Sequence, residues 1–369
     1  MASTPDARAA AARVAAPVTI QPGLSLLLDA VRFAAALTVC VGHLSGAWLT
    51  GGYLWPAGFG LQAAVMVFFV LSGFVIAATT NSQAGPRPYS AARVSRLWSV
   101  VIPALVVTFA CDMIGLRLFP EVYLSDHVPS TKLDDLRPHI LSLLHLQGSW
   151  PFHSLPHFPG TNGPFWSLSY EAAYYALFGI LLFLKGWRRL ALTAVILLLA
   201  GPYILILAPL WFAGAALWYW RDRIGNAAAT LMIAVGLALW VQFFREIEAI
   251  RMFDEALPFP RLTERYTAGV ATVLLIGGAQ VVVARFDPPR RFIRWTRTVA
   301  DHTFELYLLH LPVGILAAAA SPFPMGSGRH VLFVYLAVAA TVVAAGGLSA
   351  PLRRRLRSRL DAPAGPVAA

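Results

Sequence analysis

Long apolar stretches alternate with short polar or basic segments along nearly the whole chain. Most of these stretches are long enough to cross the hydrocarbon core of a bilayer as helices, which takes about 20 residues. The pattern predicts an all-α, polytopic integral membrane protein with about ten transmembrane helices. We place the spans near residues 24–46, 58–80, 97–116, 163–184, 190–206, 207–220, 226–244, 265–284, 302–320 and 330–350.

The composition excludes a soluble globular protein. Of the 369 residues, 58% are hydrophobic and only 13% are charged, and the mean hydropathy is +0.65. Soluble domains have about 45–50% apolar and about 25% charged residues. The lipid bilayer is therefore the first partner that the sequence predicts.

The basic residues are distributed unevenly between the predicted loops. If the N-terminus lies inside, the inner segments carry twenty of the 29 Lys and Arg, the outer loops carry eight, and Arg32 lies within the first span. This bias follows the positive-inside rule and predicts that both termini are cytoplasmic. Basic loops beside an anionic leaflet explain the net charge of +11, so we expect no nucleic-acid partner.

Three segments follow from this topology. Residues 1–22 are Ala-rich and lack the apolar core of a signal peptide, so we expect a disordered cytoplasmic tail. Residues 23–350 form the predicted transmembrane domain, and residues 351–369 form a basic cytoplasmic tail. The longest polar segment, 117–162, is expected to form the rim of an outward-facing site, with a short interfacial helix near 138–150.

The first apolar span carries three ionisable residues, Asp29, Arg32 and His43, where a simple anchor would carry none. Charge at membrane depth is costly and usually functional. Arg32 and His43 are eleven positions apart, so they face the same side about 16 Å apart along the helix axis. Asp29 can pair with Arg32 on that face.

His43 is the candidate general base, because a neutral imidazole can take a proton from a hydroxyl near neutral pH. An interhelical hydrogen bond is the structural alternative, and Arg32 on the same face favours catalysis. Glu171 lies about two turns inside the fourth span and could orient the imidazole, as the acid of a catalytic triad does. A structural partner for another buried donor explains Glu171 equally well.

Weaker signals come from the second, third and ninth spans. Arg93 and Arg96 share a helical face, and paired guanidiniums suit phosphate oxygens, although arginines at inner helix ends more often set topology. Ser72 is followed by Gly73, and two adjacent small residues allow close helix packing or the passage of a slender substrate arm. His310 could line the same cavity as His43 or bond across helices.

We expect no metal site. His153 and His157 have the spacing of helical metal ligands, but Pro156 between them argues against a helix, and no third ligand is evident. Cys40 and Cys111 fall within predicted spans, where we interpret them as packing residues.

Five motifs, in their order and spacing over roughly residues 24–350, resemble the acyltransferase-3 family of bacterial integral membrane O-acyltransferases. The arginine and histidine separated by ten residues on the first span are the family's signature. The motifs are Leu28-Asp-Ala-Val-Arg32 with His43, Phe69-Val-Leu-Ser-Gly-Phe74, Arg93-Val-Ser-Arg96, Trp166-Ser-Leu-Ser-Tyr-Glu171 and Tyr307-Leu-Leu-His310.

The resemblance implies an enzyme of the bacterial cytoplasmic (inner) membrane. Such an enzyme takes an acyl group, commonly acetyl, from acyl-CoA as co-substrate and places it on a hydroxyl of a glycan, lipid-linked saccharide or secondary metabolite. Together with the topology, it predicts catalytic roles for His43, Glu171 and Arg32. We expect acyl-CoA to contact Arg93, Arg96, Arg32 and Ser72, and the hydroxyl-bearing acceptor to contact Trp166, His310 and Tyr307.

Two other classes of protein stay open at this point. A transporter that exports a glycan or lipid intermediate would also have ten helices with buried charges, but we find no paired broken helices and no inverted repeat. A structural or regulatory protein without catalysis would not need Arg32, His43 and Glu171. We expect direct transfer, because we find no fused esterase-like domain, and the sequence leaves the acceptor, the acyl chain length and homo-oligomer formation open.

Overall fold

A computed structural model describes residues 20–128, 135–155, 157–245, 247 and 261–361, and within these ranges ten helices of 13 residues or more form a bundle. Within these ranges there is no β-strand, which confirms the predicted all-α class. The helices are α1 (Pro22–Leu44), α2 (Leu61–Thr79), α3 (Pro86–Leu118), α4 (Ser167–Phe183), α5 (Gly186–Leu205), α6 (Ala208–Trp220), α7 (Asn226–Arg245), α8 (Leu262–Val283), α9 (Thr303–Ala320) and α10 (Gly328–Asp361).

The ten helices correspond one to one with the ten predicted spans. Eight segments of the described chain are long and apolar enough to cross a membrane, and α4 and α6 are shorter, with 17 and 13 residues. At 1.5 Å per residue, α6 is about 20 Å long and covers only part of the hydrocarbon core. An even number of helices brings the start of α1 and the end of α10 to one side.

Two helices extend well beyond their predicted spans. Helix α3 begins at Pro86, so Arg93 and Arg96 lie within the helix and not before it. Helix α10 continues through the basic run to Asp361, because arginine and leucine are good helix formers. The predicted basic tail therefore begins as helix. Residues 362–369, and residues 1–19 of the predicted N-terminal tail, lie outside the described residues.

The segment between α3 and α4 folds back into the bundle. It begins with the single turn Pro120–Tyr123 and includes the helix Arg137–Leu143, which is shorter than the predicted interfacial helix. The His145 ring then stacks on Trp98 of α3 with ring centroids 4.5 Å apart. Trp98 lies twenty residues before Leu118, or about 30 Å along α3 from its outer end. The segment is thus re-entrant rather than a rim. Irregular backbone at this depth is tolerated because protein surrounds it.

Small residues allow α2 and α6 to touch along their backbones. A Cβ atom on Gly214 of α6 would lie 2.1 Å from the carbonyl oxygen of Val70, and one on Gly73 of α2 would lie 1.9 Å from that of Trp211. Such contacts pack membrane helices closely without a hydrophobic driving force.

We predict that Gly214→Ala lowers the thermal unfolding temperature of the detergent-purified protein, because the added methyl group has no room. Overpacking of this kind costs about 1–3 kcal/mol or more. Gly347→Ala on α10 is the matched control, since nothing lies within 4 Å of its added Cβ. Equal unfolding temperatures for the two variants would contradict the close contact between α2 and α6.

Candidate active site

A cavity of about 800 Å³ opens at the end of the bundle where α1 begins and α10 ends. It is enclosed by α1, α2, α3, α4, α9 and α10, and polar and charged side chains line much of its wall. The titratable and hydroxyl groups that lead from its mouth to its inner end include Arg357, Arg353, Arg96, Asp29, Arg32, Glu305, Glu171, Ser72 and Tyr307.

Arg32 holds the first helix to the chain before α9. Its Nη2 lies 3.1 Å from Asp29 Oδ1 and donates to the carbonyl oxygen of Ala300, also at 3.1 Å. The predicted pairing with Asp29 is therefore confirmed. The Nε of Arg32 is buried and has no hydrogen-bond partner among the described residues, and the Arg32 side chain lines the cavity.

Glu171 belongs to a polar network on the cavity wall. Ser72 Oγ donates to Glu171 Oε1 at 3.0 Å, and the Tyr175 hydroxyl donates to the same oxygen. The indole Nε1 of Trp211 in turn donates to Ser72 Oγ at 3.2 Å. This network joins α2, α4 and α6 and provides the carboxylate with hydroxyl partners instead of an imidazole.

His43 pairs with His310 across α1 and α9. The Nε2 of His310 lies 3.1 Å from Nδ1 of His43, and the ring centroids are 5.1 Å apart. His310 is fully buried, whereas His43 is partly exposed. His43, the histidine of the first span, is therefore in contact with a second titratable side chain on another helix.

The surrounding carbonyls decide where the protons of the two neutral rings reside. His310 Nδ1 lies 2.8 Å from the oxygen of Leu306, which can only accept, so its Nε2 must accept from His43. His43 Nδ1, which is also 3.0 Å from the oxygen of Val39, must then carry the proton. The Nε2 of His43 keeps its lone pair and can act as a base.

The cavity ends before it reaches the histidine pair. Phe68 and Tyr307 line its inner end, with ring centroids 5.4 Å apart, while neither His43 nor His310 lies on its wall. Tyr307 is 6.5 Å from His310 between ring centroids, and its hydroxyl contacts Ser167 Oγ at 2.8 Å. Arg32 and His43 were expected to share one face and one cavity. Instead, an aromatic layer formed by Phe68 and Tyr307 separates the cavity that contains Arg32 from His43.

The structure does not bring Glu171 to His43. Ser167, which contacts Tyr307, lies one helical turn before Glu171 on α4, whereas His310 lies nearly one turn beyond Tyr307 on α9. The two side chains therefore lie on opposite sides of the aromatic layer. The predicted spans placed Glu171 at the depth of His43 because they put the outer end of the fourth span near residue 163, whereas Asn162 is already buried against Leu308 of α9.

Two other expected site residues lie off the cavity wall. Arg93 lies with its guanidinium 5.7 Å from the centre of the Tyr89 ring, so only Arg96 of the predicted pair lines the cavity. Trp166 packs edge-on to Tyr170 with ring centroids 5.0 Å apart. The sequence analysis in turn missed Tyr175, whose spacing of four from Glu171 was the available signal.

The start of α4 is held by buried hydrogen bonds to α3 and α9. Thr161 donates from its backbone N to Asp112 Oδ2 at 3.1 Å and from its hydroxyl to Oδ1 at 2.7 Å. Asn162 Nδ2 donates to Thr108 Oγ1 at 2.8 Å and to the oxygen of Leu308 at 2.7 Å. These bonds fix the position of Ser167 and Glu171 along the bundle axis relative to Tyr307.

Comparison with known proteins adds one finding. A family model described as an acyltransferase domain matches residues 26–349, nearly the whole chain. No curated protein and no solved structure matches the chain.

We predict that Asp112→Asn lowers the thermal unfolding temperature, because the isosteric amide keeps the volume but weakens both bonds to Thr161. Hydrogen bonds to charged groups contribute about 1.5–3 kcal/mol. Asp222→Asn is the control, since the Asp222 side chain is 80% exposed. An unchanged unfolding temperature for Asp112→Asn would show that this carboxylate does not hold the start of α4.

Proposed function

Because the chain belongs to the acyltransferase-3 family of membrane proteins, we propose that it transfers an acyl group from acyl-CoA to a hydroxyl of a saccharide, lipid-linked glycan or secondary metabolite. We further propose that the donor binds from the cytoplasm, that acetyl is the group transferred, and that the enzyme works in the bacterial inner membrane. The observation that carries the reaction is the hydrogen bond from His43 to His310.

In the proposed reaction, His43 Nε2 takes the proton of the acceptor hydroxyl. The oxygen forms an ester bond to the acyl carbon, and the bond from that carbon to sulfur breaks. The thiolate of CoA then receives the proton from Nε2, so His43 returns to its starting state. His310 is a positioning residue, because it accepts from Nδ1 and so keeps the lone pair of His43 at Nε2.

The cavity is the proposed binding site of the donor. Ser72, Glu171 and Arg32 would contact its slender arm, since all three side chains line the wall. Arg32 lies about 16 Å from His43 along the helix axis. We therefore assign Arg32 to donor binding and not to the charge that develops at the reacting carbon.

The thioester must pass the aromatic layer to reach His43. Rotation of the Tyr307 side chain would open this path and would break its contacts with Ser167 Oγ and with the carbonyl oxygen of Pro164 at 3.2 Å. Membership of an acyltransferase family also favours this reaction over the transport alternative.

We predict that His43→Ala abolishes the release of free CoA thiol from acetyl-CoA by membranes that contain the enzyme and its acceptor. Loss of a general base reduces turnover by about 10²–10⁴-fold. Leu37→Ala is the control, because Leu37 lies on the same helix with 43% of its side chain exposed. Retained activity in a correctly inserted His43→Ala protein would remove His43 from the mechanism.

We predict that His310→Leu reduces kcat by up to about 10²-fold at nearly unchanged KM for the donor, because the carbonyl oxygen of Val39 is then the one described acceptor left to hold the proton of His43 at Nδ1. His310→Gln should recover part of this loss, since an amide oxygen can accept the same hydrogen bond. Equal activity of the leucine and glutamine variants would show that His310 only fills space.

A further inference from the structure

Four arginines surround the mouth of the cavity. Arg353, Arg354 and Arg357 come from the cytoplasmic end of α10, and Arg96 comes from α3 across the opening. Arg353 and Arg357 are four residues apart and share one helical face. The basic run of α10, which sequence analysis interprets as a tail, is thus part of the cavity wall.

No direct ion pair neutralises this cluster in the described residues. In the part of the chain that the structure describes, none of the four guanidiniums forms an ion pair within 4.0 Å. Arg353 is repelled by Arg96 and Arg357, and its acidic neighbours are Asp301 and Glu305. Glu305 is itself buried and accepts a hydrogen bond from Ser349.

Like charges four residues apart on a helix destabilise it, and a cation across the opening adds to the repulsion. An anion bound between them removes this cost. Phosphate is the anion that suits guanidinium groups best, because it accepts paired hydrogen bonds from the planar fork.

We propose that the cytoplasmic end of α10 and Arg96 together bind the phosphates of the acyl donor. This proposal rests on the proposed function and assigns the donor's charged end to Arg353 and Arg357 in addition to Arg96, in place of the predicted pair Arg93 and Arg96. The ligand is a nucleotide thioester with a diphosphate and a separate 3′-phosphate, since four guanidiniums exceed what a single phosphate requires.

Anionic lipid headgroups offer the same chemistry from the leaflet. The four arginines line a concave cavity that also contains Ser72 and Glu171, which favours the donor. Nearby Arg355 and Arg359 do not line the cavity and serve as matched controls on the same helix.

The test uses the full-length wild type and two double variants, each in nanodiscs made only of phosphatidylcholine. The double variant Arg353→Gln and Arg357→Gln is expected to raise KM for acetyl-CoA roughly tenfold or more at unchanged kcat, as loss of charged hydrogen bonds does. Arg355→Gln with Arg359→Gln should leave both constants unchanged. In binding measurements, the wild type should prefer CoA to dephospho-CoA, and the first double variant should lose this preference.

Several outcomes would overturn the proposal. The first is an equal rise in KM for acetyl-CoA in the two double variants, and the second is an unchanged KM in both. The third is an effect seen only when phosphatidylglycerol is added to the nanodiscs, which would assign the arginines to lipid headgroups. If the wild type itself neither binds CoA nor releases thiol from acetyl-CoA, the proposed function fails as well, so the two failures are distinguishable.

Discussion

The hydrogen bond between His43 and His310 is the contact on which the arrangement of the site depends. Buried polar groups in a helical bundle need partners, because no water compensates for a missing hydrogen bond. The histidine pair joins α1 to α9 near the end of α1, and Arg32 joins α1 to Ala300 about three turns earlier. The inner part of the cavity and the aromatic layer lie between these two connections, so their geometry follows from the way in which α1 is held.

Hydropathy was sufficient to predict ten helices, because each apolar stretch must cover one crossing of the bilayer. Helical periodicity was sufficient to place Asp29 beside Arg32, since partners three residues apart on one helix meet whatever surrounds them. Neither rule predicts which side chains on different helices contact each other. Which side chain meets His43 depends on the rotation of α9 against α1, and that rotation is set by packing along both helices. The sequence therefore favoured Glu171 as the partner of His43, and the fold pairs His43 with His310 instead.

The segment before α4 shows the same limit in another form. Its histidines, serines and prolines are typical of an exposed loop, and only the folded protein supplies the surroundings that allow Gln147 and Thr161 to be buried. The end of α10 shows the opposite case. Its arginines satisfy the positive-inside rule. Because that rule is enough to explain them, the sequence gives no reason to place them at the mouth of a cavity, where the structure has them. The same residues can thus provide a topological signal and line a cavity.

The aromatic layer of Phe68 and Tyr307 has a consequence for the membrane as a barrier. A continuous water-filled path along α1, wide enough for the arm of a thioester, would also conduct protons and small ions and would dissipate the electrochemical gradient of the cell. In the described residues, the two rings separate the arginine-lined cavity from the histidines and so close the cavity at this layer. In the proposed reaction, the two rings would separate only while the arm itself fills the gap.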